Sequence, residues 1–209
     1  MQPRGSYHVI AVVEQNRIQL QPGDALIVVD LQRDFLPGGA LGVPAGDEVV
    51  APINRMIEAF EQANLPVFYS RDWHPAGHCS FQEQGGPWPP HCVAGTKGAG
   101  FAPELRVLPN AIVISKATTP EHDAYSAFQG TTLGAQLGAI GVKRVFVGGL
   151  ATDYCVKATV LDARRHGFEV EVLNDAVRAV ELEPGDGQRA LQEMQESGAQ
   201  LSLSSAVAA

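Results

Sequence analysis

The stretch Arg144–Gly167, RVFVGGLATDYCVKATVLDARRHG, decides how the rest of the chain is read. Arg144 to Val147 is a short β-branched apolar run closed by Gly148 and Gly149, the pattern of a buried strand. Thr152 or Asp153 is a candidate N-cap, and Val156, Val160 and Ala163 then recur on one helical face until Gly167 ends the helix. A strand that turns directly into a helix belongs to an α/β architecture. It also puts Cys155 in the first helical turn, beside free backbone N–H groups and the positive end of the helix dipole, where a thiolate is favoured over a thiol. An isolated cysteine is more often a packing residue. The remaining sequence has to tip that balance.

The same alternation runs along the chain. Strand-length apolar runs at Ala25–Val29, Pro66–Ser70, Ala111–Ser115, Arg144–Val147, Glu169–Leu173 and Gln200–Leu203 are separated by helical patterns at Asp47–Ala63, Thr131–Ile140, Asp153–His166 and Pro184–Ser197. Repeated βαβ units predict an α/β fold: a mostly parallel, doubly wound sheet of about six strands flanked by helices. Two segments stand outside the pattern. Residues 6–24 predict a β-hairpin, so residues 1–24 are taken as an N-terminal extension and 25–209 as the domain. Residues 72–104 are rich in Gly, Pro, His and Trp without helical or strand period, and a loop that long in a compact domain is usually functional.

The 209 residues carry a formal net charge of −8 and are 45% hydrophobic, which supports one sizeable core and excludes a basic surface for nucleic acid. No apolar run has membrane-spanning length, the N-terminus lacks the pattern of a secretory signal, and the three cysteines are an odd number. These features predict a cytoplasmic chain with neither membrane nor nucleic-acid partner. A homo-oligomer is left open.

In open α/β sheets, ligands bind beyond the carboxyl ends of the parallel strands. Here those ends are polar: Asp30 follows ALIVV, Asp72 follows PVFYSR, Lys116 ends AIVISK, and Cys155 follows VFVGGLATDY. Asp30 can take the thiol proton if burial raises its pKa, Lys116 can hold Asp30 and the developing charge, and the N–H groups of Ala151 and Cys155 can face an oxyanion. That is an acyl-transfer site. A buried structural Asp30–Lys116 ion pair is the alternative. The long loop carries Asp72, His74 and His91, one carboxylate and two imidazoles that suit one divalent metal ion, zinc first with iron or manganese as alternatives, and His78 is a further candidate ligand. Cys79 and Cys92 are read as packing residues.

The stretches IVVDLQRDFLPGGAL, RDWHPAGHCSF, WPPHCVAGTKGAGF, ISKATTPEHDAYSAF and VGGLATDYCVKATVLDA, spread over residues 25–178, resemble the nicotinamidases, also called pyrazinamidases, of the isochorismatase-like cysteine hydrolase family. The resemblance implies a triad of Asp30, Lys116 and Cys155, a metal held by Asp72, His74 and His91 with waters, and a cis Leu150–Ala151 peptide that aims the Ala151 N–H. It further implies a ring pocket with Phe35 and Trp88 as walls and Tyr125 and Tyr154 nearby, where the metal holds the pyridine nitrogen of nicotinamide. The implied reaction is deamination to nicotinate and ammonia through a thioester, as in NAD salvage, with pyrazinamide also accepted. A related cysteine amidase for another small or N-carbamoyl amide is the alternative. The chain departs from many members at Ala117, where they carry glycine, at Tyr154 and in its N-terminal extension.

Overall fold

A computed structural model describes residues 17–209. Its centre is a six-stranded, all-parallel sheet of β2 (Asp24–Val29), β3 (Val67–Asp72), β4 (Ile112–Lys116), β5 (Arg144–Leu150), β6 (Glu169–Arg178) and β7 (Gln200–Ser202). The spatial order is β4-β3-β2-β5-β6-β7, so the winding reverses between β2 and β5. Among the described residues, four α-helices lie in the connections between strands: α1 (Val50–Gln62), α2 (Leu133–Ala139), α3 (Lys157–Arg165) and α4 (Asp186–Glu196). No helix among the described residues is long and apolar enough to cross a membrane.

The period-two alternation of β2 accounts for both layers of the core. Leu26 and Val28 face a cluster with Ile53, Met56, Ile57 and Phe60 of α1, whereas Ala25, Ile27 and Val29 face Leu133 and Leu137 of α2, Val160 and Ala163 of α3 and Met194 of α4. All six β2 residues are buried, as expected for a strand covered on both sides.

Two strands run past the ends predicted from sequence. β5 continues through Gly148 and Gly149 to Leu150, and β6 continues past Asn174 and Asp175 to Arg178, with an irregular register between Val147 and Gly149. Gly149 is what allows this: its φ is +127°, and a Cβ there would lie 2.1 Å from the Val29 carbonyl oxygen. We expect Gly149→Ala to cost about 3 kcal/mol or more, combining the φ penalty with a backbone clash, seen as a lowered thermal midpoint or loss of soluble protein. An unchanged midpoint would contradict this close approach.

The hairpin predicted for residues 6–24 lies mainly outside the described residues. Its described end does not turn back: β1 (Ile18–Gln19) pairs in parallel with β8 (Val207–Ala208) near the C-terminus, and Asp24 already belongs to the main sheet. Arg144 ties the two sheets, binding the Asp24 carboxylate through Nε (2.9 Å) and Nη2 (2.6 Å) and the Gln19 carbonyl through Nη2. The 72–104 loop is ordered by isolated bridges, His74 with Val93 and Phe81 with Trp88.

Candidate active site

The point where the winding reverses gathers the four polar strand ends. Asp30 follows β2 in a left-handed conformation (φ +45°), Asp72 and Lys116 are paired residues at the ends of β3 and β4, and Cys155 follows β5. Asp30, Lys116 and Cys155 are all buried. Lys116 is the hub: Nζ lies 2.9 Å from Asp30 Oδ2 and donates to Asp72 Oδ1, to the Ala124 carbonyl (3.0 Å) and to Cys155 Sγ (3.4 Å). Ser70 Oγ donates to Asp30 Oδ1 at 2.6 Å. Asp30 Oδ2 has no aligned hydrogen-bond donor, because the Lys116 contact is an ion pair outside hydrogen-bond geometry. Cys155 Sγ and a carboxylate oxygen of Asp30 lie within 4.8 Å of each other.

The electrostatics correct one sequence expectation. Cys155 is not held as a thiolate at rest: burial pushes its pKa well up against the opposing charge of Lys116, and the carboxylates of Asp30 and Asp72 add to the rise. Burial likewise raises Asp30 despite the opposing charge of Lys116, which suits it to accept a proton. Burial also works against the charge on Lys116, but Asp30 and Asp72 together hold its ammonium well above the usual range. At Asp72 burial is again opposed, here successfully, by Lys116 and His74, so its carboxyl stays ionised.

The helix start differs too. Thr152–Val156 forms a π-turn in which both Tyr154 N–H and Val156 N–H donate to the Ala151 carbonyl, and no side chain caps it. Asp153 instead accepts from Val180 N–H (2.9 Å) and Glu181 N–H (3.0 Å), fixing a neighbouring loop. The Leu150–Ala151 peptide is cis, and Ala117 takes φ +51°, a region glycine enters more easily, which gives a physical reason for glycine at that position.

One donor atom from each of Asp72, His74 and His91 falls within a mutual 4.8 Å, with His74 Nε2 at 3.5 Å and His91 Nε2 at 4.0 Å from Asp72 Oδ2. Both nitrogens of buried His74 lack a hydrogen-bond partner. Leaving such atoms unpaired costs roughly 1–3 kcal/mol each, which a bound cation would remove at Nε2. His91 Nδ1 lies 2.8 Å from the Pro89 carbonyl, which can only accept, so the proton is on Nδ1 and the Nε2 lone pair is free. Burial lowers the His91 pKa, keeping the imidazole in the neutral form a metal needs. The donor set fits a divalent ion. His78 does not join it: Nδ1 meets Ser80 Oγ (2.8 Å), Nε2 meets the His122 carbonyl (3.1 Å), and its ring packs 4.3 Å from that of His74. It supports the cluster from behind.

Cys155 and the metal-type cluster open on one pocket of about 470 Å³, mouth included, lined by Phe35, Trp88, Tyr125 and Tyr154 together with Ala151, Asp72, His74 and His91. Phe35 sits 5.6 Å from the His91 ring, Trp88 packs edge-on to Tyr154 at 5.1 Å, and Trp88 Nε1 donates to Tyr125 Oη at 3.0 Å. The aromatic walls are therefore braced against one another.

Residues 24–206 match the family described as the isochorismatase domain. The chain belongs to the isochorismatase family. Within it, the chain is 42% identical over 201 residues to the nicotinamidase of Escherichia coli K12, a match covering 86% of this chain and 94% of that one. Among solved structures it is similar to the pyrazinamidase of Pyrococcus horikoshii in complex with zinc (50% identity, TM-score 0.84, 87% of this chain and 99% of the other). It is also similar to PnC1 from L. infantum in complex with nicotinate (39% identity, TM-score 0.84, 91% and 98%).

For this isochorismatase-family chain, sequence reasoning missed the groups that act through long-range hydrogen bonds. Ser70, the Ala124 carbonyl and Gln32 reach Asp30, Lys116 and Asp72 respectively. Gln32 stood inside the quoted motif DLQRDF but carried no role there. Cys92 is fully buried and Cys79 partly so, and all three cysteines are free thiols.

Proposed function

We propose that the chain is a metal-dependent cysteine amidohydrolase that converts nicotinamide to nicotinate and ammonia, and that it also accepts pyrazinamide. The observation that carries this reading is that Cys155 and the Asp72, His74, His91 cluster face a single aromatic-walled pocket. A carboxamide must meet the thiol while the ring to which it is attached finds a lone-pair acceptor, and this pocket offers both. A divalent cation held by Asp72, His74 and His91 supplies a Lewis-acid anchor for a ring nitrogen.

The chain's own groups carry the chemistry. The Asp30 carboxylate takes the Cys155 proton as Sγ attacks the carboxamide carbon, with Lys116 opposite the growing negative charge. The N–H groups of Ala151 and Cys155 hold the oxyanion. Asp30 returns the proton to the departing nitrogen, so the C–N bond breaks to release ammonia and leave a thioester. Asp30 then takes a proton from water, whose hydroxide attacks the thioester carbon; the C–S bond breaks and the thiolate is reprotonated. Such a reaction belongs to NAD salvage.

Ammonia release from nicotinamide, pyrazinamide, benzamide and an N-carbamoyl amide tests the substrate. The expected kcat/KM order puts nicotinamide and pyrazinamide first, with benzamide penalised because it lacks a ring nitrogen. Preference for the N-carbamoyl compound would instead make the chain a related amidase. His74→Ala is expected to weaken zinc binding by at least roughly 100-fold, more than loss of an outer-shell partner; calorimetric titration with zinc reads this directly, and unchanged affinity would reject the ligand set.

A further inference from the structure

Asp72 has to serve two sites at once. Its Oδ1 accepts from Lys116 on the catalytic side, while Oδ2 lies nearest His74 and His91. A carboxylate split in this way needs a fixed backbone, yet Asp72 is the last residue of β3, and the neighbouring strand β2 has already ended at Val29. No main-chain partner on the β2 side is left to hold it.

The side chain of Gln32 takes that place. Asp72 N–H donates to Gln32 Oε1 at 2.8 Å, and Gln32 Nε2 donates to the Asp72 carbonyl at 2.8 Å and to the Ala99 carbonyl at 2.9 Å. The orientation of the amide is unambiguous, because an N–H must face Oε1 and carbonyls must face Nε2. One primary amide thus mimics the peptide group of a strand neighbour and also pins Ala99, in the loop that follows His91. Gln32 is fully buried, and its hydrogen-bonding groups are spent on these three bonds.

We infer that Gln32 is the positioning residue of the metal site: it extends the β2–β3 ladder by one step and thereby fixes the direction of the Asp72 carboxylate toward His74 and His91. The inference rests on the metal-binding reading of that cluster. Gln32 itself touches neither substrate nor the reacting atoms.

The test is zinc affinity, measured by calorimetry in a Cys155→Ala background so that the thiol cannot recruit zinc with Asp30 and Asp72. Gln32→Met keeps the volume and removes all three hydrogen bonds; Gln32→Glu keeps the acceptor for Asp72 N–H but turns an oxygen toward two carbonyls. Both are expected to weaken zinc binding 10- to 100-fold, the range found when an outer-shell partner is lost. Asn54→Ala is the control. Asn54 makes the same kind of double clamp outside the pocket lining, donating to the Glu104 carbonyl and accepting from Arg106 N–H, both at 2.8 Å, and its loss is expected to lower the melting midpoint without changing zinc affinity. Zinc affinity within twofold of the background in a folded Gln32 variant overturns the inference. So does failure of both Gln32 variants to fold while Asn54→Ala folds, which would make the clamp purely structural. Absence of zinc binding by the unsubstituted protein would instead remove the metal reading beneath it.

Discussion

Cys155→Ala is expected to abolish ammonia release, with kcat lowered by about 10⁴-fold or more, while zinc content and the thermal midpoint stay close to those of the parent protein. The size follows from covalent catalysis: without the sulfur no thioester forms, and only the oxyanion donors and bound orientation are left to assist water. The selectivity follows from the geometry. Burial keeps Sγ a neutral thiol, and without it Lys116 still holds Asp30, Asp72 and the Ala124 carbonyl, so its removal leaves no stranded charge. Elemental analysis beside single-turnover kinetics checks the prediction. Substantial turnover by the alanine variant would mean that water attacks directly and that Cys155 only packs.

Lys116→Met is expected to fail differently, in stability as well as rate. Lys116 is the one ammonium between two buried carboxylates, Asp30 and Asp72, and both are raised in energy by burial. Breaking a buried ion pair from one side costs about 3–5 kcal/mol, which in a chain of this length corresponds to a melting point lower by on the order of 10 °C. Methionine fills similar space, so the loss reports charge and not a cavity. A double-mutant cycle separates the contributions: adding Asp30→Asn removes one of the two like charges and is expected to restore part of the stability but none of the activity. Additive losses, or an unchanged melting point for Lys116→Met, would show that the ammonium does not compensate these carboxylates.

The candidate site was legible in the sequence to the extent that its residues sit at the ends of apolar runs. Asp30, Asp72 and Lys116 each abut a strand whose β-branched residues mark it without any tertiary information, and Cys155 follows a strand-to-helix junction. The D-x-H pair at 72–74 and the aromatics Phe35 and Trp88 were visible as residue types in unusual segments. His78 illustrates the limit: next to His74 and His91 it has the right chemistry for a ligand, and only its two occupied nitrogens exclude it. Asp153 is a similar case, with the composition of an N-cap but a side chain committed to residues 180 and 181. The ends of β5 and β6 were misplaced because glycine and Asn174–Asp175 normally close strands, whereas here close packing against β2 and capping of Ser204 by Asp175 keep them in the sheet.

By itself the sequence determined the parallel α/β architecture, the polar groups presented along one edge of the sheet and the stretches that identify the family, because these depend on local periodicity and on residue order. Tertiary structure alone decided that β2 lies between β3 and β5, that Asp72 is shared between Lys116 and the histidines, that Ser70 bonds the Asp30 carboxylate and Gln32 the Asp72 main chain, and that burial raises the Cys155 thiol pKa. The reason is physical. Hydrogen bonds between residues 40 positions apart and the cost of burying charge exist only once the strands have paired, and no pattern along the chain carries them.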